Sequence, residues 1–372
     1  MFSCVPLVVR FGALDDMVLL TPLLRLLHRR YGRPCRVMGS GSWLEPLLAG
    51  HPDVQQVLTV SNLERPYWLD ATQRRGARYL RMHLQGAVYV CDDLAANKVL
   101  HLLQRAGVLE DLCRFANPDC PLRDGEHWID RWHRFAEMTP PAFALPCFRA
   151  DTGEAAAPCL MLNAADRQDL GEWLAQRGLS HPKIILIQPE SGRTRSHGHA
   201  ASSGAPGCWP KAHWVATIRA LLADPGDFSI IVCGAPPEAA LLHDLARSAG
   251  SPRVQAAGDD LPLRRFMALS EHASAMISVD SGRAQVAAAL GCPLVVLYGT
   301  RPPSLWRPRS PTGSPVQVLG GPPARSRMDQ ITLDEILFAW QEIRSWRRAS
   351  ASPNFPGPQG GTFRQPAPGS PP

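Results

Sequence analysis

Short apolar runs recur through the first half of the chain at residues 6–9, 35–38, 54–60 and 88–91. Runs of this length between polar turns predict parallel strands covered on both faces. Between them lie helical patterns over 17–30, with apolar residues at 18, 19, 20, 23, 24 and 27, and over 43–49 and 94–106. Strand and helix therefore alternate, which predicts a parallel sheet. Residues 107–160 are less regular, broken by Pro118, Pro121, Pro140, Pro141 and Pro146. A helix over 165–177 follows, and the alternation restarts with strands at 183–187 and 229–233 and helices over 213–222 and 237–249. The stretch 276–300 reads as strand, polar turn, small-residue helix and second strand, and 334–348 as a last amphipathic helix. From 349 onward Pro, Gly and Ser dominate without periodicity, which predicts a disordered tail.

This pattern predicts an α/β protein with two Rossmann-like domains whose parallel sheets face a central cleft. The expected divisions are a first domain over 1–164, a linker helix over 165–182, a second domain with the final helix over 183–348, and a tail over 349–372. A length of 372 residues with 45% hydrophobic content suits two domains with sizeable cores. No run approaches the ~18–20 apolar residues that span a bilayer. Arg10, Asp15 and Asp16 come too early for a signal-peptide apolar region. The ten cysteines form no CxxC pair, fitting reduced thiols in a cytosolic protein better than a disulfide framework or a zinc site.

The net charge is +6, and only Lys98, Lys183 and Lys211 are lysines; the remaining cations are arginines, suited to bidentate phosphate or carboxylate contacts. Two clusters, Arg29, Arg30, Arg33 and Arg36, then Arg74, Arg75, Arg78 and Arg81, read either as solvated helix faces or as surfaces for an anionic substrate or membrane. No nucleic-acid partner is expected.

Candidate chemistry sits in two turns. Asp280-Ser281-Gly282 follows a buried strand and opens a helix, where open α/β sheets place ligands and a helix N-terminus favours phosphate. The same residues read equally as a plain helix cap. After the first strand, Gly12 is followed by Ala13, Leu14, Asp15 and Asp16 without a GxGxxG, which argues against a nicotinamide-binding dehydrogenase.

Set side by side, these segments resemble one family. Arg10-Phe11-Gly12-Ala13-Leu14-Asp15-Asp16 with Leu19-Leu20-Thr21-Pro22-Leu23-Leu24 is similar to the R-x-G-A-x-G-D…L-x-T-P-x-L opening of the ADP-heptose:lipopolysaccharide heptosyltransferases, glycosyltransferase family 9. Pro52-Asp53-Val54 with Val57 resembles its P-D-V-x-x-V segment, and Trp209-Pro210 its W-P signature. Gly234 to Glu238, Asp280-Ser281-Gly282 and Leu297-Tyr298-Gly299-Thr300 resemble its G-x-x-x-E, D-S-G and L-[FY]-G-x motifs, in the family's order over residues 5–310.

The resemblance implies a GT-B architecture, with acceptor in the first domain and sugar nucleotide in the second. It implies inversion without a metal or other cofactor, and the sequence contains no Asp-x-Asp motif. Asp16 matches the family's base, sitting just before the helix of 17–30, where it could also merely cap that helix. Glu238 would bond the ribose, Asp280 the sugar, and Ser281, Gly282, Gln285, Thr300 and Arg193 would line the donor site, with Arg301 adding to the phosphate end. Arg10, Gly12, Asp15, Arg74, Arg75 and Arg78 are acceptor-side candidates. Trp209 packs near the donor or in the core.

Three positions depart from the family pattern: Asp15 stands where it usually has Gly, Gln285 where it has His, and Gly207 where it has Lys. Adjacent carboxylates at 15 and 16 would disfavour each other's ionisation. The loop 191–208 is long, and its His197 and His199 read as part of a solvated segment. The expectation is a cytoplasmic transferase, peripheral on the inner membrane, that moves heptose from ADP-heptose to an anionic lipid-linked saccharide of the lipopolysaccharide inner core. A different nucleotide-sugar donor on the same fold, or a non-catalytic nucleotide- or partner-binding member, are the alternatives.

Overall fold

In the computed structural model, which describes residues 4–350 apart from 62, 85, 94, 144–147, 152, 154, 180–182, 191–207 and 225–227, the apolar runs become two parallel sheets. The first half runs β1 (Leu7–Val9), α1 (Leu14–Tyr31), β2 (Cys35–Gly39), α2 (Leu44–Leu48), β3 (Val54–Thr59), α3 (Ala71–His83), β4 (Val88–Val90), α4 (Ala96–Arg105), β5 (Cys113–Phe115), α5 (Ala116–Asp119) and α6 (Trp128–Glu137). Its sheet order is β3-β2-β1-β4-β5. Val8 lies between Val37 and Tyr89 in parallel register.

The second half begins with α7 (Ala164–Gln176) and β6 (Ile184–Gln188), followed by α8 (Lys211–Ala223), β7 (Ser229–Cys233), α9 (Ala239–Ala249), β8 (Val254–Ala257) and α10 (Leu263–His272). It continues through β9 (Ala275–Val279), α11 (Gly282–Ala289), β10 (Leu294–Tyr298), α12 (Pro303–Trp306), β11 (Val316–Gly320) and α13 (Leu333–Ser350). The order is β11-β10-β9-β6-β7-β8, again all parallel. β6, β7, β9 and β10 are buried at every residue, as strands covered by helices on both faces must be.

Both sheets reverse strand order where their candidate turns lie. In the first, the chain leaves β1 for β2 on one side and returns to β4 on the other. In the second, β7 and β9 flank β6. Such switch points open a crevice at the carboxyl ends of the strands.

The core explains how the halves are held. One apolar cluster runs from Val8, Val37 and Tyr89 through α1 and α6 into Leu186, Ile231, Met276 and the alanines of α11. The outer faces carry separate clusters, one under α3 and α4 and one under α8, α9 and α13.

Several expectations change. The irregular 107–160 region contains β5 and α6, whose Trp128, Ile129, Trp132, Phe135 and Ala136 form one buried stripe. The expected linker helix is docked on the second half: Trp173 Nε1 donates at 2.7 Å to Asp260 in the loop after β8, and Arg264 and Arg265 of α10 pair with Asp166 and Asp169. The final helix extends to Ser350, two residues into the expected tail, and 351–372 lie outside the described residues. Among the described residues Cys4, Cys35, Cys91, Cys113, Cys120, Cys159, Cys233 and Cys292 form no disulfide, and no helix is long and apolar enough to cross a membrane.

Candidate active site

The first turn is built around Arg10. Its guanidinium donates to Asp16 Oδ1 at 2.7 Å and to the Cys91 carbonyl, and lies 5.6 Å from the Trp128 ring. Burial disfavours that charge, but Asp16 and Asp92 outweigh it and raise the Arg10 pKa. Asp92, which accepts from the Phe11 N–H at 2.7 Å, is pushed up by its own burial. Asp16 sits inside the first turn of α1, not before it, and its Oδ2 accepts from the Ala13 N–H at 2.8 Å. It therefore does cap the helix. A carboxylate has about four lone-pair sites, so one bond on each oxygen leaves Asp16 able to accept a proton. Gly12 makes the room: a Cβ there would stand 2.6 Å from the Asp16 Cβ.

The second turn has the same plan with different parts. Ser281 caps α11 by accepting from the Ala284 N–H at 3.1 Å, so the capping role proposed for this turn is real. Asp280 is anchored by its own N–H to the Leu297 carbonyl at 2.9 Å. The first N–H groups of α11 lack partners within the helix and form a donor-rich, locally positive end.

The fold brings the two turns into contact. A Cβ on Gly282 would lie 2.8 Å from the Leu14 Cβ and 3.1 Å from the Asp15 nitrogen, so glycine is what lets the starts of α1 and α11 meet. Arg301, just beyond β10, crosses the seam: its Nη1 donates to Asp280 Oδ2 at 2.9 Å and to Asp15 Oδ2 at 3.2 Å. The adjacent carboxylates of Asp15 and Asp16 are thus drawn to different arginines, Arg301 and Arg10. The guanidinium of Arg301 lies over the Trp306 ring at 3.4 Å. Gln285, buried in α11, donates from Nε2 to the Trp306 carbonyl at 2.6 Å, so it braces the residue under Arg301.

Around this point the seam is tied by Trp128 against Trp306, Arg309 with Asp130, and His127 Nε2 to the Arg307 carbonyl at 2.9 Å. Burial and the nearby Arg309 charge push the His127 pKa down to about 4. A cavity of 690 Å³ lined by His127, Ser304, Arg307 and Arg309 contains none of the candidate residues.

Other candidates are placed differently. Glu238 is buried two strands from β9, with Oε2 accepting from the Ala235 N–H at 2.8 Å. Thr300 is exposed beside Arg301, and Arg193, His197, His199 and Gly207 lie outside the described residues. Arg74, Arg75 and Arg78 are exposed on α3, which packs on the opposite face of the first sheet from α1, so the structure separates them from Asp16. Arg30 and Arg36 are committed to carbonyls of Ala136, Met138 and His83. Trp209 is core, with its Nε1 on the Ile331 carbonyl at 2.9 Å.

Sequence reading missed Asp92, Trp306 and Arg283. The Arg283 guanidinium lies over Phe266 at 4.4 Å, its Nη1 is buried without a hydrogen-bond partner among the described residues, and burial lowers its pKa. Its place directly after Asp280-Ser281-Gly282 was the available signal. Among the described residues no group of three His, Cys, Asp or Glu side chains is placed to hold a metal ion.

Residues 192–329 match the family model of glycosyltransferase family 9 (heptosyltransferase). That segment holds Glu238, Asp280 to Gly282 and Arg301, while Arg10 to Asp16 lie outside it. A 105-residue stretch is 32% identical to lipopolysaccharide heptosyltransferase 3 of Escherichia coli, covering 28% of this chain and 30% of that protein. The chain thus spans under a third of the length of the curated relative it matches. Among solved structures, E. coli ADP-heptose lipopolysaccharide heptosyltransferase II is similar with a TM-score of 0.66 at 20% identity, over 92% of this chain and 99% of that one. A glycosyltransferase family 9 protein from Veillonella parvula gives a TM-score of 0.69 at 14% identity, over 92% and 98%. E. coli heptosyltransferase WaaC, solved with ADP, gives 0.63 at 18%, over 91% and 99%. These structural likenesses establish a two-sheet GT-B-like α/β fold.

Proposed function

We propose that this chain, a member of glycosyltransferase family 9, moves heptose from ADP-heptose to an anionic lipid-linked saccharide of the lipopolysaccharide inner core, with inversion and without a metal. The observation that carries this reading is the meeting of the two turns: Gly282 lets the start of α11 pack on the start of α1, and Asp15, next to Asp16, pairs with Arg301 of the other half. Asp16 takes the proton of the acceptor hydroxyl as that oxygen bonds to the anomeric carbon. The bond from that carbon to the diphosphate breaks as the new one forms. The charge that collects on the departing ADP is met by the N–H groups opening α11 and by nearby arginines. Asp280 holds sugar hydroxyls, Glu238 the ribose, and Ser281, Gly282, Gln285, Thr300 and Arg193 complete the donor side, with Arg10 and Gly12 on the acceptor side.

The reading includes peripheral contact with the cytoplasmic face of the inner membrane. Trp68 and Leu69 are 68% and 59% exposed just before α3, and Met82 at its end is 59% exposed. Exposed Arg74, Arg75 and Arg78 lie on the same helix. Tryptophan favours the membrane interface, and each arginine near an anionic surface adds about 1 kcal/mol.

The test is thermal stabilisation by ADP-heptose, ADP and a panel of UDP- and GDP-sugars. Ligand at ~100 times its dissociation constant adds about 2.7 kcal/mol to folded-state stability. Selective stabilisation by ADP-heptose and ADP is expected. Preference for another nucleotide changes the donor, and no shift with any ligand overturns the enzymatic reading.

A further inference from the structure

Arg301 reaches its partners in an uneven way. Both ion pairs use the same nitrogen, Nη1, and its Nη2 and Nε donate to none of the described residues. An arginine carries five N–H donors in a fixed fork that suits bidentate phosphate, so most of this fork is uncommitted. Its side chain is 20% exposed, while those of Asp15 and Asp280 are 3% and 9% exposed. The guanidinium is held on the ring of Trp306, whose backbone carbonyl accepts from Gln285 Nε2. An open, braced cation at the start of α11 is arranged to receive an anion.

The local charge balance adds a condition. Asp15, Asp16, Asp92 and Asp280 gather here against Arg10 and Arg301. Two helix N-termini contribute only about half a positive charge each. Among the described residues the four carboxylates therefore outweigh these cations, and a polyanion gains little unless one carboxylate gives way. Asp280 is fixed at the strand end, and Asp16 is held twice within its own half. Asp15 is the partner that comes from the opposite half and makes the longer contact, at 3.2 Å.

We propose that Arg301 is a diphosphate-binding residue and that Asp15 is the internal counter-ion an incoming diphosphate displaces from it. The inference rests on the donor reading above, since it takes the ligand to carry a diphosphate. Asp15 then lowers donor affinity while tying the empty seam together, and Gln285 acts as a positioning residue through Trp306.

The experiment is calorimetric titration of ADP and, separately, inorganic pyrophosphate into the full chain and its Asp15→Asn, Arg301→Ala and doubly substituted variants. Asp15→Asn is expected to bind both ligands about tenfold tighter, equivalent to about 1.4 kcal/mol, while the ligand-free protein melts no higher. Arg301→Ala is expected to bind both more weakly, and in that background Asp15→Asn brings no gain. A gain in affinity cannot come from damaged folding. Unchanged or weaker ADP binding in Asp15→Asn, with wild type binding ADP, overturns the inference and leaves the donor reading standing. Pyrophosphate responding as described while ADP binds no variant upholds the anion site and removes the nucleotide. No binding of either ligand to any variant overturns both.

Discussion

The turns after β1 and β9 are both strand, acidic turn and helix, placed at the switch points of their sheets, yet they are finished differently. The first keeps its arginine, Arg10, inside its own half against Asp16, Asp92 and Trp128, so what it presents is a carboxylate. The second caps its helix with a neutral serine, and what it presents is backbone N–H and the arginine that follows β10. One local plan thus presents a carboxylate on one side and backbone N–H groups with an arginine on the other. The difference comes from which residue caps the helix and where the nearest arginine originates.

The largest test of that division is Asp16→Asn beside Asp280→Asn. Asparagine at 16 still accepts from the Ala13 N–H, so the fold should hold while kcat for transfer falls 10²–10⁴-fold, the usual worth of a positioned base. Asp280→Asn should chiefly weaken the donor, raising its KM. Equal effects of both changes on kcat would erase the distinction between the turns.

The second test is acid, which acts on the seam that joins them. His127 is neutral when folded, with its pKa at about 4 against an ordinary 6.5. Between those values the unfolded chain binds the extra proton, so His127 supports stability above pH 6.5 and loses that support as pH falls toward 4. The loss is of order 3 kcal/mol at most. Urea melts at pH 7 and pH 5 should show a steeper fall for wild type than for His127→Gln, whereas equal slopes would place the acid sensitivity elsewhere.

The smallest effect concerns the first half alone. Replacing Trp68 and Leu69 by serine should reduce sedimentation with phosphatidylglycerol vesicles several-fold while leaving ADP affinity unchanged. Retained vesicle binding would detach α3 and its arginines from the membrane.

Apart from β3, an edge strand that its apolar run revealed, the strands that sequence reading found and those it missed differ by position. β1, β2, β4, β6, β7, β9 and β10 lie inside their sheets and announce themselves as apolar runs, because both faces must be covered. The overlooked β5, β8 and β11 are edges. Cys113–Phe115, Val254–Ala257 and Val316–Gly320 carry Arg114, Gln255 and Gln317, which an edge tolerates. Among the candidate residues, the placement of Asp16, Asp280, Ser281 and Gly282 at helix starts was legible because each follows a buried strand in a polar turn. The separation of Arg74, Arg75 and Arg78 from Asp16 was not, since a sheet lies between them.

The sequence by itself determined two parallel α/β units, the turns at their switch points and the acidic residues that open the helices. These are local matters of apolar periodicity and helix-start chemistry. Only the tertiary structure decided which charges meet. Asp15 and Arg301 are 286 positions apart, and their contact exists because Gly282 has no Cβ to keep α1 and α11 apart. A pairing between separate sheets depends on how helix ends pack against one another, and no local pattern in the chain records that packing.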